Sequence, residues 1–407
     1  MDDKYIDLLL TKCIDINTSK ILFINYDIEI EEFIKKIEVE ARKRGIEEVY
    51  LDKIDPNERY KILKNNTLEE LENNKYFDKS IWDEYAKKNA NFLIFETEQP
   101  HLMDDIEPEK ISFMAKQCRE SRPIYRKKVE HCEIPWCIAA YPGQRWADEV
   151  FKKSANSYQE LKDAIYNICM INEKNPIDAW DLQLNKNDKI IKYLNSLNLS
   201  SMHYKNCLGT DLTIYLPDNY NFESAKDNKV IVNMPSYEIF TSPIYNKTEG
   251  IVYSSMPLCY GGTIIDDFYL EFKEGKVVNY KSKTGEKVLK DIIESDEQSC
   301  CLGEAALVEN NSPISNLNLV FGTTLIDENA SCHLALGAGF PECIKGGLDL
   351  SDDELLKAGV NVSKNHVDFM IGTPDLTITG TTKDGKKVPI FVNGNYTEEL
   401  LSKCLSD

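Results

Sequence analysis

Apolar residues in the first half of the chain alternate between helical and strand-like spacing. Residues 4–14 place leucine and isoleucine at helical intervals, and residues 20–26 form a short apolar run typical of a strand buried on both faces. Residues 31–45 then predict an amphipathic helix that stops at a glycine, and residues 48–51 predict the next strand. This order of elements predicts a strand–helix–strand unit with parallel strands.

The same alternation continues towards the middle of the chain. Strands are predicted at residues 91–95 and 135–141, with a long helical tract at residues 108–131 between them. Strands that alternate with helices favour an open, mainly parallel sheet with helices on its faces. Residues 157–197 keep helical spacing and form a natural connector. We therefore predict an α/β domain at residues 1–199, with the helical connector at its end.

The second half of the chain has a different pattern. Short strand-like runs, such as residues 211–216, are separated by Pro, Asn and Gly. Tight-turn sequences recur at residues 273–276 (KEGK) and 383–386 (KDGK), and these indicate β-hairpins. Residues 200–407 are therefore predicted to form a β-rich, barrel-like domain of the α+β class.

Length and charge restrict the class of protein. A chain of 407 residues is too long for one ordinary core, which agrees with two domains. The net charge of -20 argues against nucleic acid as a partner, because proteins that bind it concentrate Lys and Arg on one face. No apolar run approaches the roughly 20 residues that span a bilayer, and the start MDDKYIDLLL is acidic where a signal peptide is basic. We expect a cytoplasmic protein without a membrane partner.

The cysteine and glycine patterns exclude several common types of binding and redox site. The 12 cysteines fit a cytoplasmic protein only if they stay reduced. They include the adjacent pair Cys300–Cys301 but no C-x-x-C motif, so neither a zinc ribbon nor a thioredoxin-type site is expected. The predicted parallel sheet also lacks the Gly-x-Gly-x-x-Gly and Gly-Lys-Ser loops that bind phosphate.

Histidines and isolated carboxylates in the second half occur in segments of small or apolar residues. A carboxylate in such a setting needs a cation or an arginine, because burying an unpaired charge is costly. The segment DENASCHLALGAGF at residues 327–340 adds a small-residue tract that lets the backbone approach a ligand. Carboxylate and imidazole groups are usual ligands of Zn, Co and Mn. The candidate ligands of four such segments are Glu238, Glu304, Glu328, His333, His366 and Asp368.

Each segment taken alone has an alternative explanation. His333 can be a buried histidine hydrogen-bonded within a Gly-rich loop. If the last segment is a strand, His366 and Asp368 share one face and Val367 and Phe369 the other, and such a His-x-Asp pair can equally form cross-strand hydrogen bonds. Together, the candidates are enough for two divalent ions that share a carboxylate, about 3.5 to 4 Å apart. A single ion would leave most of these carboxylates unpaired.

The order and spacing of these motifs resemble a known family over nearly the whole chain. The motifs are GTDL at residues 209–212, N-x-P-x-x-E-x-F-T-x-P at 233–243, GE at 303–304, HLALG at 333–337 and HVD at 366–368. They are similar to those of the metal-dependent aminopeptidases that include aminopeptidase T and aminopeptidase S, the thermophilic metalloproteases. The resemblance implies an α/β N-terminal domain, a β-barrel-like catalytic domain at residues 200–407, a homodimer and two cocatalytic divalent metals.

The resemblance also assigns roles to individual residues. It gives metal binding to the six candidate ligands, with Glu304 as the bridging ligand and with Glu304 and Glu238 as catalytic residues. The chain departs from the family at Phe340, where a tyrosine commonly follows the ligand histidine by seven residues. Phenylalanine cannot donate a hydrogen bond to a developing oxyanion. Either this protein is slower, or Tyr253 or Tyr260 substitutes, or the tyrosine is not essential.

The activity implied is hydrolysis of the N-terminal residue of short peptides, with a broad preference for apolar or basic first residues. It would use two divalent ions (Zn, Co, Mn or Mg) and a bridging water. One alternative is a metal-binding member of the same family in which Phe340 marks lost activity. Another is a dinuclear metal phosphoesterase, which is disfavoured because the ligand segments are poor in Lys and Arg.

Overall fold

The computed structural model describes residues 1–152, 154–227, 230–260 and 263–405. The chain divides into two compact units. The first unit contains Met1–Ala179 and Lys226–Pro235, and the second contains Trp180–Ala225 and Ser236–Asp407. The first unit therefore takes a short segment from the second half of the sequence.

The helices lie mainly in the first 200 residues. In chain order they are α1 (Asp2–Lys12), α2 (Glu31–Lys43), α3 (Pro56–Asn65), α4 (Leu68–Glu72), α5 (Ser80–Lys87), α6 (Pro108–Glu120), α7 (Pro123–Glu130), α8 (Gln144–Val150), α9 (Ser157–Ile168), α10 (Pro176–Ser196), α11 (Glu286–Ile293), α12 (Thr324–Asp327), α13 (Asp352–Ala358) and α14 (Glu398–Leu405). Among the described residues, none of the helices combines the length and the apolar content needed to cross a bilayer.

The strands lie mainly in the second half. In chain order they are β1 (Ile21–Asp27), β2 (Glu48–Ile54), β3 (Asn91–Glu96), β4 (Trp136–Ala140), β5 (Leu199–Lys205), β6 (Asp211–Tyr215), β7 (Glu223–Ser224), β8 (Lys226–Asp227), β9 (Val230–Ile231), β10 (Asn233–Met234), β11 (Ile239–Thr241), β12 (Glu249–Tyr253), β13 (Leu258–Tyr260), β14 (Thr263–Lys273), β15 (Lys276–Thr284), β16 (Leu302–Leu307), β17 (His333–Gly337), β18 (His366–Met370), β19 (Thr377–Thr382), β20 (Lys387–Val392) and β21 (Asn395–Tyr396).

The first unit is built on a parallel sheet with strand order β10-β4-β3-β1-β2. The strands are apolar because helices cover the faces of a parallel sheet. Phe23 of β1 and Phe92 of β3 have ring centroids 4.9 Å apart, and Tyr125 of α7 packs on Phe92 at 4.7 Å. The predicted parallel sheet with helices is therefore confirmed.

The helical tract predicted at residues 108–131 is present, but it is divided into two helices. The structure has two helices, α6 and α7, which are separated at Ser121 and Arg122. Pro123 is the first residue of α7. Proline has no N–H for a helical hydrogen bond and disfavours helical backbone in the residue before it, so the first helix has to end there.

The second unit contains two antiparallel sheets. The smaller has the order β18-β17-β16-β11-β7, and the larger has the order β13-β14-β12-β6-β5-β19-β20-β21, with β15 also paired to β14. Both predicted hairpins are present, β14 with β15 and β19 with β20. At the first hairpin, Glu274 and Gly275 have φ values of 51° and 80°, as a tight turn between twisted strands requires. The predicted β-rich second half is confirmed.

Candidate metal centre

Register in the smaller sheet brings distant parts of the sequence to one face. Glu304 of β16 pairs with Ala335 of β17, which pairs with Asp368 of β18, so these three residues lie side by side. His333 precedes Ala335 by two residues and His366 precedes Asp368 by two. Because side chains alternate along a strand, both histidines lie on the same face as the two carboxylates.

The opposite face of these strands forms part of the hydrophobic core of the second unit. Its residues are Leu302, Ala305, Leu307, Leu334, Leu336, Val367 and Phe369, all of which are buried. The predicted alternation of the HVD segment, with Val367 and Phe369 opposite His366 and Asp368, is therefore confirmed. Burial of the apolar face fixes the register, because a slip of one residue would turn the polar side chains into the core.

A β-bulge aims Glu304 at the polar face. Between Leu302 and Glu304, strand β16 has one residue more than its partner β17, and Gly303 is the extra residue. The bulge lets Leu302 enter the core while Glu304 points to the other side. A Cβ atom at Gly303 would lie 2.1 Å from the backbone oxygen of Ala338, so only glycine fits.

Gly303→Ala is expected to lower the free energy of unfolding by about 2 kcal/mol, because the added methyl overpacks the bulge. It should also weaken divalent-metal binding, because Glu304 loses its position. Thermal unfolding and metal titration measure the two effects. Gly322→Ala is the control, since its added Cβ meets nothing within 4 Å and only the φ of +72° opposes it. Equal losses of metal affinity in both variants would contradict the role given to the bulge.

Buried Asn329 links the two loops that carry the remaining carboxylates, Glu238 and Glu328. Its Oδ1 accepts a hydrogen bond from Tyr237 N at 2.6 Å, and its Nδ2 donates to Leu325 O at 3.2 Å and to Glu328 Oε1 at 3.4 Å. Asn329 is fully buried. The sequence does not predict this role, because an asparagine next to a glutamate carries no distinctive spacing signal.

The carboxylate of Asp327, the other acidic residue of this segment, stabilises a loop. Its carboxylate accepts hydrogen bonds from Phe321 N at 2.9 Å and Gly322 N at 2.7 Å. Burial raises the pKa of Asp327 to about 7, although these hydrogen bonds oppose the shift. Glu328, the next residue, is the one whose carboxylate joins the cluster.

The two histidines are oriented by backbone carbonyls. His333 Nδ1 lies 3.0 Å from Ser331 O, and His366 Nδ1 lies 2.8 Å from Ala338 O. A carbonyl oxygen only accepts hydrogen bonds, so Nδ1 carries the proton in both rings. When the imidazoles are neutral, each Nε2 therefore has a free lone pair directed at the carboxylates. Histidine ligands of metals are commonly held in this way.

The structure brings all six candidate side chains into one cluster. His333 Nε2 lies 3.1 Å from a Glu238 oxygen, and His366 Nε2 lies 3.2 Å from Glu304 and 3.1 Å from Asp368. Ligand atoms within 4.8 Å of one another form three overlapping groups: Glu238, Glu304 and His333; Glu304, His366 and Asp368; Glu328, His333 and Asp368. Glu304 is common to the first two groups, which contain different histidines.

Burial and neighbouring charges shift the pKa values of the carboxylates in opposite directions. Burial raises the pKa of Glu304 to about 7, the charge of Asp368 adds to this effect, and the hydrogen bond with His366 opposes it. Burial, followed by the charges of Glu238 and Asp368, raises the pKa of Glu328 well above its usual range. Burial also acts to raise the pKa of Asp368, but the charge and hydrogen bond of His366 outweigh it and lower the value to about 2.

The histidine pKa values show how strongly the cluster attracts positive charge. Burial acts to lower the pKa of His333, but the hydrogen bond and charge of Glu238 raise it well above its ordinary value. His366 behaves in the same way, with Asp368 supplying the largest opposing effect. A buried set of four carboxylates and two imidazoles with this preference for positive charge suits divalent cations.

Comparison with known proteins identifies relatives of this chain. The family model for the thermophilic metalloproteases, M29, matches residues 2–396. Aminopeptidase AmpS of Bacillus subtilis is 34% identical over 400 residues, covering 96% of this chain and 97% of that protein. Aminopeptidase T of Thermus thermophilus is 30% identical over 318 residues, covering 76% of this chain and 77% of that protein.

A solved structure supports the same relationship. Wild-type AmpT from Thermus thermophilus superposes with a TM-score of 0.86 at 26% sequence identity, covering 97% of this chain and 98% of that chain. The shared fold therefore includes both the parallel sheet and the β-rich second half. The family model and these relatives together show that the chain belongs to the thermophilic metalloprotease family M29.

Proposed function

We propose that the chain is a metal-dependent aminopeptidase that removes the N-terminal residue of short peptides at a dinuclear metal site. The family and the relatives named as aminopeptidases support the activity. The observation that carries the dinuclear site is that Glu304 and Asp368 each belong to two ligand groups with different histidines. The family resemblance gives the bridge to Glu304. We assign Glu304 as the bridging ligand, with Glu238 and His333 on one side and His366 and Asp368 on the other.

Charge balance supports two ions rather than one. The ion pairs of Glu238, Glu304 and Asp368 are made with histidines, which have to give up their extra proton to bind a metal. With Glu328, the cluster then holds four negative charges in a buried site. Two divalent ions supply four positive charges, whereas one ion leaves two carboxylates that have to hold protons to avoid a buried charge.

The protein groups of the cluster have separate tasks in hydrolysis. Divalent ions held by these residues would supply Lewis acidity, which would activate a water molecule and polarise the scissile carbonyl. Glu304 and Glu238 fix the reacting groups in place, and the Nδ1 hydrogen bonds hold both imidazoles in one orientation. A carboxylate of the set can also bind the free amino terminus of the peptide through a charge-assisted hydrogen bond, which favours exopeptidase action.

Phe340 forms an apolar surface beside this cluster. Its ring centroid lies 5.1 Å from the His366 ring and 5.0 Å from the Phe240 ring. Tyr253 packs on another tyrosine ring at 5.4 Å, and Tyr260 packs on the core behind the sheet. That either of them replaces the tyrosine of the family stays a prediction.

Phe340→Tyr is expected to raise kcat by about tenfold and leave KM nearly unchanged, because a phenol would donate a hydrogen bond only to the oxyanion that develops in the transition state. Steady-state kinetics on an aminoacyl p-nitroanilide measure both constants. Phe240→Tyr, which adds a phenol to the neighbouring ring, is the matched control. An unchanged kcat in Phe340→Tyr would mean that this protein does not use a donor at position 340.

A direct assay tests the proposed activity. The purified protein, supplied with Co or Zn, is incubated with leucine and lysine p-nitroanilides, with their N-acetylated forms and with bis-p-nitrophenyl phosphate. We expect chelator-sensitive release from the free-amino substrates alone. Release from the acetylated forms would contradict exopeptidase action, and release from the phosphodiester would favour a phosphoesterase. No chelator-sensitive release from any aminoacyl substrate would favour the alternative of a metal-binding family member that has lost activity.

We also propose that the protein is a homodimer, as in the prediction from the family resemblance. Light scattering coupled to size-exclusion chromatography measures the mass in solution. A mass near twice the 46.7 kDa of one chain is expected, and a mass of one chain at all concentrations would contradict it.

A further inference from the structure

The adjacent cysteines Cys300 and Cys301 lie immediately before β16, and the proposed catalytic cycle does not use them. Their sulfur atoms are 3.9 Å apart. Cys301 is 1% exposed, whereas Cys300 is partly exposed. The pair therefore offers one thiol that solvent can reach and a second thiol directly behind it.

The surroundings of Cys300 favour its thiolate form. The hydrogen bond from Cys301 is the largest effect that lowers the pKa of Cys300, to about 6, and the charge of Lys276 adds to it. Burial and the charge of Asp296 oppose this shift. Lys276 is held close because it forms a β-bridge with Cys301. A partly exposed thiolate beside a cation is the usual setting of a reactive cysteine.

The backbone of Cys301 anchors the start of the strand that carries Glu304. Its carbonyl oxygen accepts hydrogen bonds from Gly337 N at 2.8 Å and from Asn361 Nδ2 at 3.3 Å. Its N–H donates to Gln298 O at 3.0 Å. Glu304 follows three residues later, across the bulge, where the backbone at Gly303 packs so closely on that of Ala338 that an added Cβ would lie 2.1 Å from its oxygen. A change in the Cys301 peptide is therefore transmitted to Glu304.

We propose that Cys300 and Cys301 form a reversible modification site for low-molecular-weight disulfides, and that closing a disulfide between them displaces Glu304 and inactivates the metal centre. The inactivation rests on the function proposed above, whereas the modification does not. The site requires no group beyond the two thiols and the added disulfide.

The disulfide between Cys300 and Cys301 forms in two thiol–disulfide exchange steps. The Cys300 thiolate attacks one sulfur of the small disulfide, forming a mixed disulfide and releasing one small thiol. The Cys301 thiol then loses its proton and attacks the Cys300 sulfur, closing the protein disulfide and releasing the second small thiol. In total the protein loses two hydrogen atoms, that is, two protons and two electrons, which the two released thiols carry away.

Geometry explains why closure affects the strand and why it is reversible. Adjacent Cα atoms are about 3.8 Å apart, closer than the roughly 4.4 to 6.8 Å usual for disulfides, so the ring is strained. Closing it requires the peptide between Cys300 and Cys301 to rotate, which breaks the hydrogen bonds of the Cys300 carbonyl with Val277 N and of the Cys301 N–H with Gln298 O and strains the Cys301 carbonyl that follows. Strained disulfides are readily reduced by small thiols.

The test is incubation of the metal-loaded protein with glutathione disulfide, followed by peptide mass analysis, peptidase assay and metal analysis. We expect a disulfide at Cys300–Cys301 with the loss of two hydrogens, a drop in activity of about tenfold or more, and recovery with dithiothreitol. Cys300→Ser should resist inactivation by glutathione disulfide, and Cys301→Ser should form only the mixed disulfide between Cys300 and glutathione. Cys259→Ser, which removes another exposed cysteine, should still be inactivated.

The possible results of this test distinguish failure of the modification site from failure of the proposed function. Absence of the Cys300–Cys301 disulfide after incubation, or equal inactivation of Cys300→Ser and the native protein, would overturn the modification site. A disulfide that forms without loss of activity or bound metal would overturn the displacement of Glu304. Protein that has no peptidase activity before oxidation, but still forms the disulfide and releases metal, would contradict the proposed function alone.

Discussion

Glu304→Gln is expected to lower kcat/KM by about a thousandfold or more and to reduce the bound metal to one equivalent or less. The amide has nearly the same shape as the carboxylate, but it lacks the negative charge and one of the two acceptor oxygens needed to bridge two cations. Glu304 is 3% exposed and lies beside His366, so the substitution changes the chemistry of the site with little change in packing. Activity and metal content should therefore fall together.

The matched control for this substitution is Glu294→Gln. Glu294 is an exposed residue at the end of α11, where it forms an ion pair with Lys290 at 3.8 Å. Exposed pairs of this kind contribute little, so activity, metal content and melting temperature should stay close to those of the native protein. Full activity with two bound ions in Glu304→Gln would rule out the bridging role of Glu304.

Removal of the metal is expected to make stability depend strongly on pH. In metal-free protein, the melting temperature should fall between about pH 5 and pH 8, because each titrating group changes the free energy of unfolding by about 1.4 kcal/mol per pH unit. The pKa of Glu304 is raised from 4.5 to about 7, and burial raises that of Glu328 well above its ordinary value. Folding therefore holds protons on these carboxyls, and this stability is lost as pH rises through the folded-state pKa.

The other titrating groups of the cluster do not reverse this trend. The pKa values of His333 and His366 are also raised by folding, so their contribution to stability is present at low pH and is lost as pH rises. The pKa of Asp368 is lowered to about 2, and its contribution is lost only when pH falls through that value, outside the measured range. All the groups of the cluster that titrate near neutral pH therefore act in the same direction, whereas Cys300, whose pKa is lowered to about 6, acts against it.

Metal-loaded protein should behave differently, because the ions compete with protons for the same ligand atoms and bind more tightly as pH rises. The difference in melting temperature between loaded and chelated protein should therefore grow from pH 5 to pH 8. One kcal/mol corresponds to about 2 to 4 °C for a domain of roughly 150 to 250 residues. Differential scanning calorimetry on both forms provides the measurement. A melting temperature of the metal-free protein that is flat or rises over this range would contradict the buried-carboxylate cluster.

Much of the fold follows from patterns that the sequence displays directly. β1, β3 and β4 are apolar runs because both faces of the inner part of the parallel sheet are covered. The turn between β14 and β15 has residues suited to positive φ, Glu274 and Gly275. The two-residue strand β10 (Asn233–Met234) was not predicted in the parallel sheet. A strand of that length has no periodicity, and its place depends on pairing with β4, which is far away in sequence.

The candidate site could be predicted in part for a similar reason. Glu238 and Glu304 stood out because an isolated carboxylate among apolar residues has to be compensated, and the structure places both beside histidines. Gly303 and Asn329 were not recognised as positioning residues. The role of Gly303 depends on the nearby backbone oxygen of Ala338, and the role of Asn329 depends on its hydrogen bonds to Tyr237 and Leu325. These groups become neighbours only in the folded chain.

Anomalous diffraction from crystals loaded with Co or Zn tests the proposed dinuclear centre most directly. We predict two peaks about 3.5 to 4 Å apart, with Glu304 between them. One peak should lie against Glu238 and His333, and the other against His366 and Asp368. A single peak, or peaks that do not contact Glu304, would contradict a dinuclear site on these residues.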